Sequence, residues 1–166
     1  IIEQMIVSVW SGAENYSQTD ISRTDPAIQR VFDWQKVAEH KAIQRFLQKF
    51  NLGTSSRYMR EVYEWLFSQI PMEAVNIELD STVVTRAGKQ IQGAKIGYNP
   101  RYRGRNSHHP LIAFIGSMRL IANFWLRPGN CATANNLTAF FNETVANLGK
   151  IKVGLIRADS GFWMNE

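Results

Sequence analysis

The stretch VNIELDSTVVT, residues 75–85, reads as a strand. Ile77, Leu79 and Val83 lie on one side of a two-residue repeat, and the apolar run closes on an acid, Asp80. A second stretch, IKVGLIRADSG at residues 151–161, is expected to be a short buried strand that ends on Asp159 in the same manner. Two further apolar runs lie between them, HPLIAFIGS and MRLIANFWLRPG, and GSMR at their junction makes them a hairpin. Thr133 is expected to cap a helix with Leu137, Phe140, Phe141, Val145 and Leu148 on one face, stopped by Gly149. The order is therefore strand, strand, strand, helix, strand. A strand-helix-strand crossover is right-handed and returns the last strand parallel to an earlier one. If that earlier strand is the one before Asp80, the two acids emerge at the same end of one sheet.

The residues before this sheet read as helices. Asp25 before Pro26 caps a helix expected over residues 26–36, with Ile28, Val31 and Phe32 as its stripe. Ile43, Phe46, Leu47 and Phe50 make a second, closed by NLG with Gly53 in the left-handed cap position. Thr54 or Ser55 then caps a third, which carries Met59, Val62, Tyr63, Leu66, Phe67 and Ile70 until Pro71 stops it. The second and third helices could form a helix-turn-helix, although aromatic stripes at this spacing are commonly core. His40 falls in a turn and reads as a polar surface residue. The expectation is a mixed fold, α+β or α/β, with a helical unit at residues 1–72 and a sheet domain at 73–166.

Composition bounds the function. The 166 residues are 45% hydrophobic with five Trp, enough for a real core, and no run of 18 apolar residues exists to span a bilayer. The single cysteine, Cys131, excludes an internal disulfide and a cysteine-based zinc site, and fits a reducing compartment. The net charge of +5 is unevenly spread. Residues 81–142 contain no Asp or Glu, while Arg86, Lys89, Lys95, Arg101, Arg103, Arg105, Arg119 and Arg127 lie there. An acid-free segment of this length suggests a polyanionic partner.

Two carboxylates brought together repel, so a divalent cation is their natural neutraliser, and oxygen donors favour Mg²⁺ or Mn²⁺ over zinc. Glu78, two residues before Asp80, faces the same side of the strand, either supporting the site or meeting solvent. KIGYNPRYRGRNSHH interleaves Lys95, Arg101, Arg103 and Arg105 with Tyr98, Tyr102, His108 and His109, a composition suited to clamping phosphates and stacking on unpaired bases. The two histidines read first as plain loop residues, with phosphate donors and then metal ligands as the other readings.

Five motifs in order, LDST, GAKIGYNP, SHHPLIAF, WLRPGN and RADSGF, resemble those of bacterial insertion-sequence transposases with a DDE-type catalytic domain, DDE transposase group 1. The resemblance runs from about Asp25 to Glu166. It implies a partial ribonuclease H-like domain with a mixed sheet and crossover helix, and a two-metal mechanism of strand cleavage and strand transfer at transposon ends. Asp80 and Asp159 match the first and second catalytic acids, with Mg²⁺ or Mn²⁺ as cofactor. DNA is the implied partner, bound by a homodimer or larger assembly, with Lys95, Tyr98, Arg101, Arg103, Arg105, His108 and Arg127 as contacts. The compartment implied is the bacterial cytoplasm, at the nucleoid, with no membrane association. The third acid of the family has no counterpart, since Glu166 lies too close to Asp159 to arrive on a separate helix. The chain is thus expected to be a fragment, inactive alone. A metal-dependent nuclease of the same fold and a non-catalytic DNA-binding remnant are the alternative readings.

Overall fold

A computed structural model of the chain describes residues 1–88 and 91–163. The chain divides into two compact units, Ile1–Tyr58 and Met59–Glu166.

The first unit is helical. It contains α1 (Ile2–Trp10), a 3₁₀ turn at Tyr16–Asp20, α2 (Ile21–Thr24), α3 (Pro26–Val31), α4 (His40–Leu47) and the start of α5 (Leu52–Ser68). Helix α1 is not legible in the sequence, because IIEQMIVSVW is apolar almost throughout and shows no helical stripe. Its buried Gln4 clamps the Ala38 backbone from both sides, donating to the carbonyl at 2.7 Å and accepting from the amide at 2.9 Å. Asp25 caps α3 as expected, accepting from the amides of Ala27 and Ile28. The helix is shorter than expected because Asp33 turns left-handed, with φ of 51°, a conformation that Asp tolerates better than most residues.

The start of α5 corrects two expectations. Gly53 lies inside the helix, and the cap is Asn51, whose side chain accepts from the Thr54 amide at 3.0 Å while Thr54 Oγ1 accepts from the Asn51 amide at 3.0 Å. Asn51 thereby satisfies an amide that the helix leaves open.

The second unit is built on a four-stranded mixed sheet in the order β6-β5-β1-β7. Strands β1 (Ala74–Ser81), β5 (Leu111–Ile115) and β6 (Leu120–Trp125) are antiparallel neighbours, and β7 (Lys152–Ala158) runs parallel to β1 on its other side, where as the end strand of this sheet it is largely exposed rather than buried as expected. Helix α6 (Leu137–Leu148) carries the chain from β6 to β7, the expected crossover, and ends at Gly149 with φ of 62°. Val75, Ile77 and Leu79 from β1 and Leu111, Ala113 and Ile115 from β5 form one buried face with Phe140 and Leu148 of α6 and Phe67 of α5. Each large apolar side chain buried there contributes about 1.5–3 kcal/mol. Trp125 packs edge-on against Phe140 at 5.2 Å and donates its indole N–H to Glu143.

Thr133 does not cap α6. Asn136 precedes that helix in the left-handed conformation without a side-chain cap bond, and Thr133 belongs to the loop before it. A small second sheet, β2 (Val84–Thr85), β4 (Asn106–His108) and β3 (Lys95–Ile96) in the order β2-β4-β3, fills the connection from β1 to β5. No helix among the described residues is long and apolar enough to cross a membrane.

Candidate functional site

The register of β1 on β7 places the two acids. Leu79 pairs with Ala158, so Asp80 and Asp159 follow the last paired residues on adjacent parallel strands, which run about 4.8 Å apart. Asp80 is exposed on the face that alternates away from the buried Leu79, and its Oδ1 accepts from the Ser81 amide at 2.7 Å. Asp159 caps the 3₁₀ turn Ser160–Phe162, accepting from the Gly161 amide at 2.9 Å. Among the described residues neither carboxylate forms an ion pair. Two open carboxylates on neighbouring strand ends suit a hard divalent cation that keeps most of its water. Among the described residues, no group of three or more of His, Cys, Asp and Glu is placed to hold a metal ion, so these two acids stand without a third protein ligand there. Glu166 lies outside the described residues, as does Lys89. Glu78, one alternation before Asp80 on the same face, pairs with Arg157 of β7 at 3.5 Å.

Behind the acids lies a network of buried polar groups. His109, 6% exposed, donates from Nδ1 to the Cys131 carbonyl at 2.8 Å, and its Nε2 is hydrogen-bonded to the Ser81 hydroxyl at 3.1 Å. Ser81 Oγ also approaches Thr133 Oγ1 at 3.5 Å. Arg127, 5% exposed, donates from Nε to the His109 carbonyl at 3.1 Å and from Nη1 to the carbonyls of Ala132, Thr133 and Asn135 at 3.3, 3.0 and 3.1 Å. Burial lowers the pKa of its guanidinium and nearby Cys131 opposes the shift, yet arginine remains cationic at any physiological pH. An apolar cavity of about 590 Å³ adjoins Asp159, lined by Leu79, Leu137, Phe141 and Ile156 among others.

The expected DNA contacts separate into two groups. Lys95, Tyr98, Arg101, Arg103 and Arg105 are exposed on the small sheet and the turn beyond it. Tyr98 is 76% exposed, whereas the Tyr102 ring carries the Arg105 guanidinium 5.7 Å from its centroid. Buried Asn99 fixes the turn, donating to Thr85 Oγ1 at 2.8 Å and accepting from the Tyr102 amide at 2.9 Å. His108 and Arg127, by contrast, are inside. His108 accepts at Nδ1 from Arg86 Nε at 2.9 Å and donates from Nε2 to the Gln92 carbonyl at 3.0 Å, so both ring nitrogens are taken within the protein. Arg127 is taken up by four backbone carbonyls, for the reason that its fork reaches acceptors a lysine would miss. The signal for its burial was its place directly after the apolar run of β6 and before Pro128–Gly129, rather than among polar residues. No comparable signal marks Ser81 and Thr133, whose partners are distant in sequence.

The whole chain, residues 1–166, matches the family model of the transposase DDE domain group 1, and the chain belongs to that family. No curated protein and no solved structure matches it.

Proposed function

We propose that the chain is the metal-dependent catalytic part of a DNA transposase, with a ribonuclease H-like sheet, in which Asp80 and Asp159 hold Mg²⁺ or Mn²⁺ and the exposed basic turn holds DNA. The observation that carries this reading is the parallel register of Leu79 on Ala158, which brings two acids from separate family motifs to one strand end. Bound there, a divalent cation would supply charge stabilisation and lower the pKa of an attacking hydroxyl during phosphoryl transfer. The two carboxylates would hold it, and the Ser81 and Gly161 amides each keep one carboxylate oxygen in place. Lys95, Arg101, Arg103 and Arg105 neutralise phosphates, and Tyr98 offers an open ring for a base. The proposed sequence is strand cleavage followed by strand transfer at transposon ends, carried out by a dimer or larger assembly on DNA at the nucleoid.

The test is a titration with Mn²⁺ followed by the loss of the free-ion paramagnetic signal. Saturable binding that disappears in both Asp80→Asn and Asp159→Asn is expected. Equal binding by the parent chain and both variants would remove the site.

A further inference from the structure

We infer that Arg127 and His109 are positioning residues that fix the two acid-bearing strand ends relative to each other, through the loop at residues 128–136; this rests on the reading of Asp80 and Asp159 as metal ligands. Three ties converge on that loop. Arg127 Nη1 gathers the carbonyls of Ala132, Thr133 and Asn135, while its Nε takes the carbonyl of His109. The His109 ring then joins Cys131 of the loop to Ser81, the residue after Asp80. Thr133 lies beside both turns: its hydroxyl is 3.5 Å from Ser81 Oγ, and it passes close enough to Gly161, the residue that donates to Asp159, that a Cβ there would be in van der Waals contact with it at 3.7 Å.

The chemistry of these groups fits placement. A guanidinium buried without a carboxylate partner among the described residues is costly to maintain, and Nη2 is buried with no acceptor there at all. Every acceptor Arg127 does have is on the loop or on the residue that holds Ser81. Lysine would keep the charge and lose the fork that spans those four carbonyls. His109 donates from Nδ1, because the Cys131 carbonyl can only accept, which leaves Nε2 to meet the Ser81 hydroxyl.

Two measurements test this on Arg127→Lys and His109→Phe. Amide hydrogen exchange without metal reads the placement: exchange at residues 80–82 and 159–162 should quicken together, about tenfold or more, with the sheet core unchanged. Faster exchange confined to residues 128–136 would show that the pair supports only its own loop, and would overturn the inference. Mn²⁺ titration reads the consequence: affinity should fall about tenfold, as for other groups that orient metal ligands, at a temperature where both variants are folded. Parent-like affinity in both, beside loss in Asp80→Asn and Asp159→Asn, would overturn the inference and leave the acids as ligands. No dependence on either acid would overturn the site itself and this inference with it. If either variant fails to fold, Ser81→Ala, which deletes one half-buried hydroxyl, carries the same expectations at both acid turns.

Discussion

Glu78 and Arg157 stand opposite one another on the parallel pair of β1 and β7, their charged groups 3.5 Å apart, one alternation before Asp80 and Asp159. Both side chains are about half exposed or more, at 46% and 65%, so the pair adds about 0–1 kcal/mol to stability. Its interest lies in what it does to Glu78. An acid already facing a guanidinium across the strands is poorly placed to serve the proposed cation as well. Glu78→Gln should therefore change Mn²⁺ affinity by less than about fivefold, the equivalent of about 1 kcal/mol, and leave the melting temperature nearly unchanged. A loss as large as that of Asp80→Asn in the same titration would place Glu78 among the ligands.

The small sheet is held against the loop at residues 128–136 by two glycines whose backbones touch. A Cβ on Gly97 would lie 1.9 Å from the Gly129 carbonyl oxygen, and one on Gly129 would lie 2.3 Å from Ser107 Oγ and 2.5 Å from the Lys95 carbonyl oxygen. Backbone cannot yield as the end of a side chain can. Gly97→Ala and Gly129→Ala should each cost about 3 kcal/mol, at the upper end for overpacking, in urea denaturation of the whole chain. Gly104→Ala is the control, because nothing lies within 4 Å of its Cβ and only the positive φ of 75° opposes it. It should cost about 1–2 kcal/mol. Equal costs at all three positions would mean that the contact between the two segments is unimportant.

The large sheet was legible in the sequence because its strands carry clean signals: alternation in β1, turn residues at GSMR, and a helical stripe between Leu137 and Leu148. The crossover made a parallel return of the last strand expected, while its pairing with β1 stood as a condition that the register meets. The second sheet was not legible, since β2 and β3 have only two residues each and too short a run to show a period. The caps were misread for a related reason. Asn51, Thr54 and Ser55 all suit the start of α5, and only the geometry decides which side chain reaches an open amide. At the site, the acids were visible because each interrupts an apolar run, whereas Arg127 looked like the other cations of an acid-free segment. Burial depends on what folds over a residue, and composition does not record it.

The proposed binding of DNA by the exposed turn would have a quantitative signature. Each phosphate contact contributes about 0.9 to the slope of log affinity against log salt. Arg101, Arg103 and Arg105 are all exposed, so their joint replacement by alanine should lower that slope by about 2–3 and weaken binding to every sequence alike. Tyr98→Ala should weaken binding to single-stranded ends by about 1–3 kcal/mol with the slope preserved, because stacking releases no counterions. The comparison is a fluorescence anisotropy titration at several salt concentrations. An unchanged slope in the triple variant would place the phosphate contacts elsewhere.

In the helical unit, Asp20 holds the start of α4 with both carboxylate oxygens. Oδ1 accepts from the His40 amide at 3.1 Å, and Oδ2 meets His40 Nδ1 at 2.8 Å, while Arg23 lies 3.7 Å away. The side-chain bond to His40 is the main cause of a lowered Asp20 pKa, outweighing the partial burial that would raise it. A carboxylate whose pKa is depressed in the folded state contributes stability that is complete above its unfolded value of about 3.9. That contribution is lost as pH falls through the folded value. Asp20→Asn keeps an oxygen for the His40 amide but cannot carry the charge. The stability difference between parent and Asp20→Asn should therefore shrink as pH falls below about 4. Amide exchange at residues 1–58 measures it within this unit. A difference that stays the same through the acid range would show that the Asp20 charge does not hold α4.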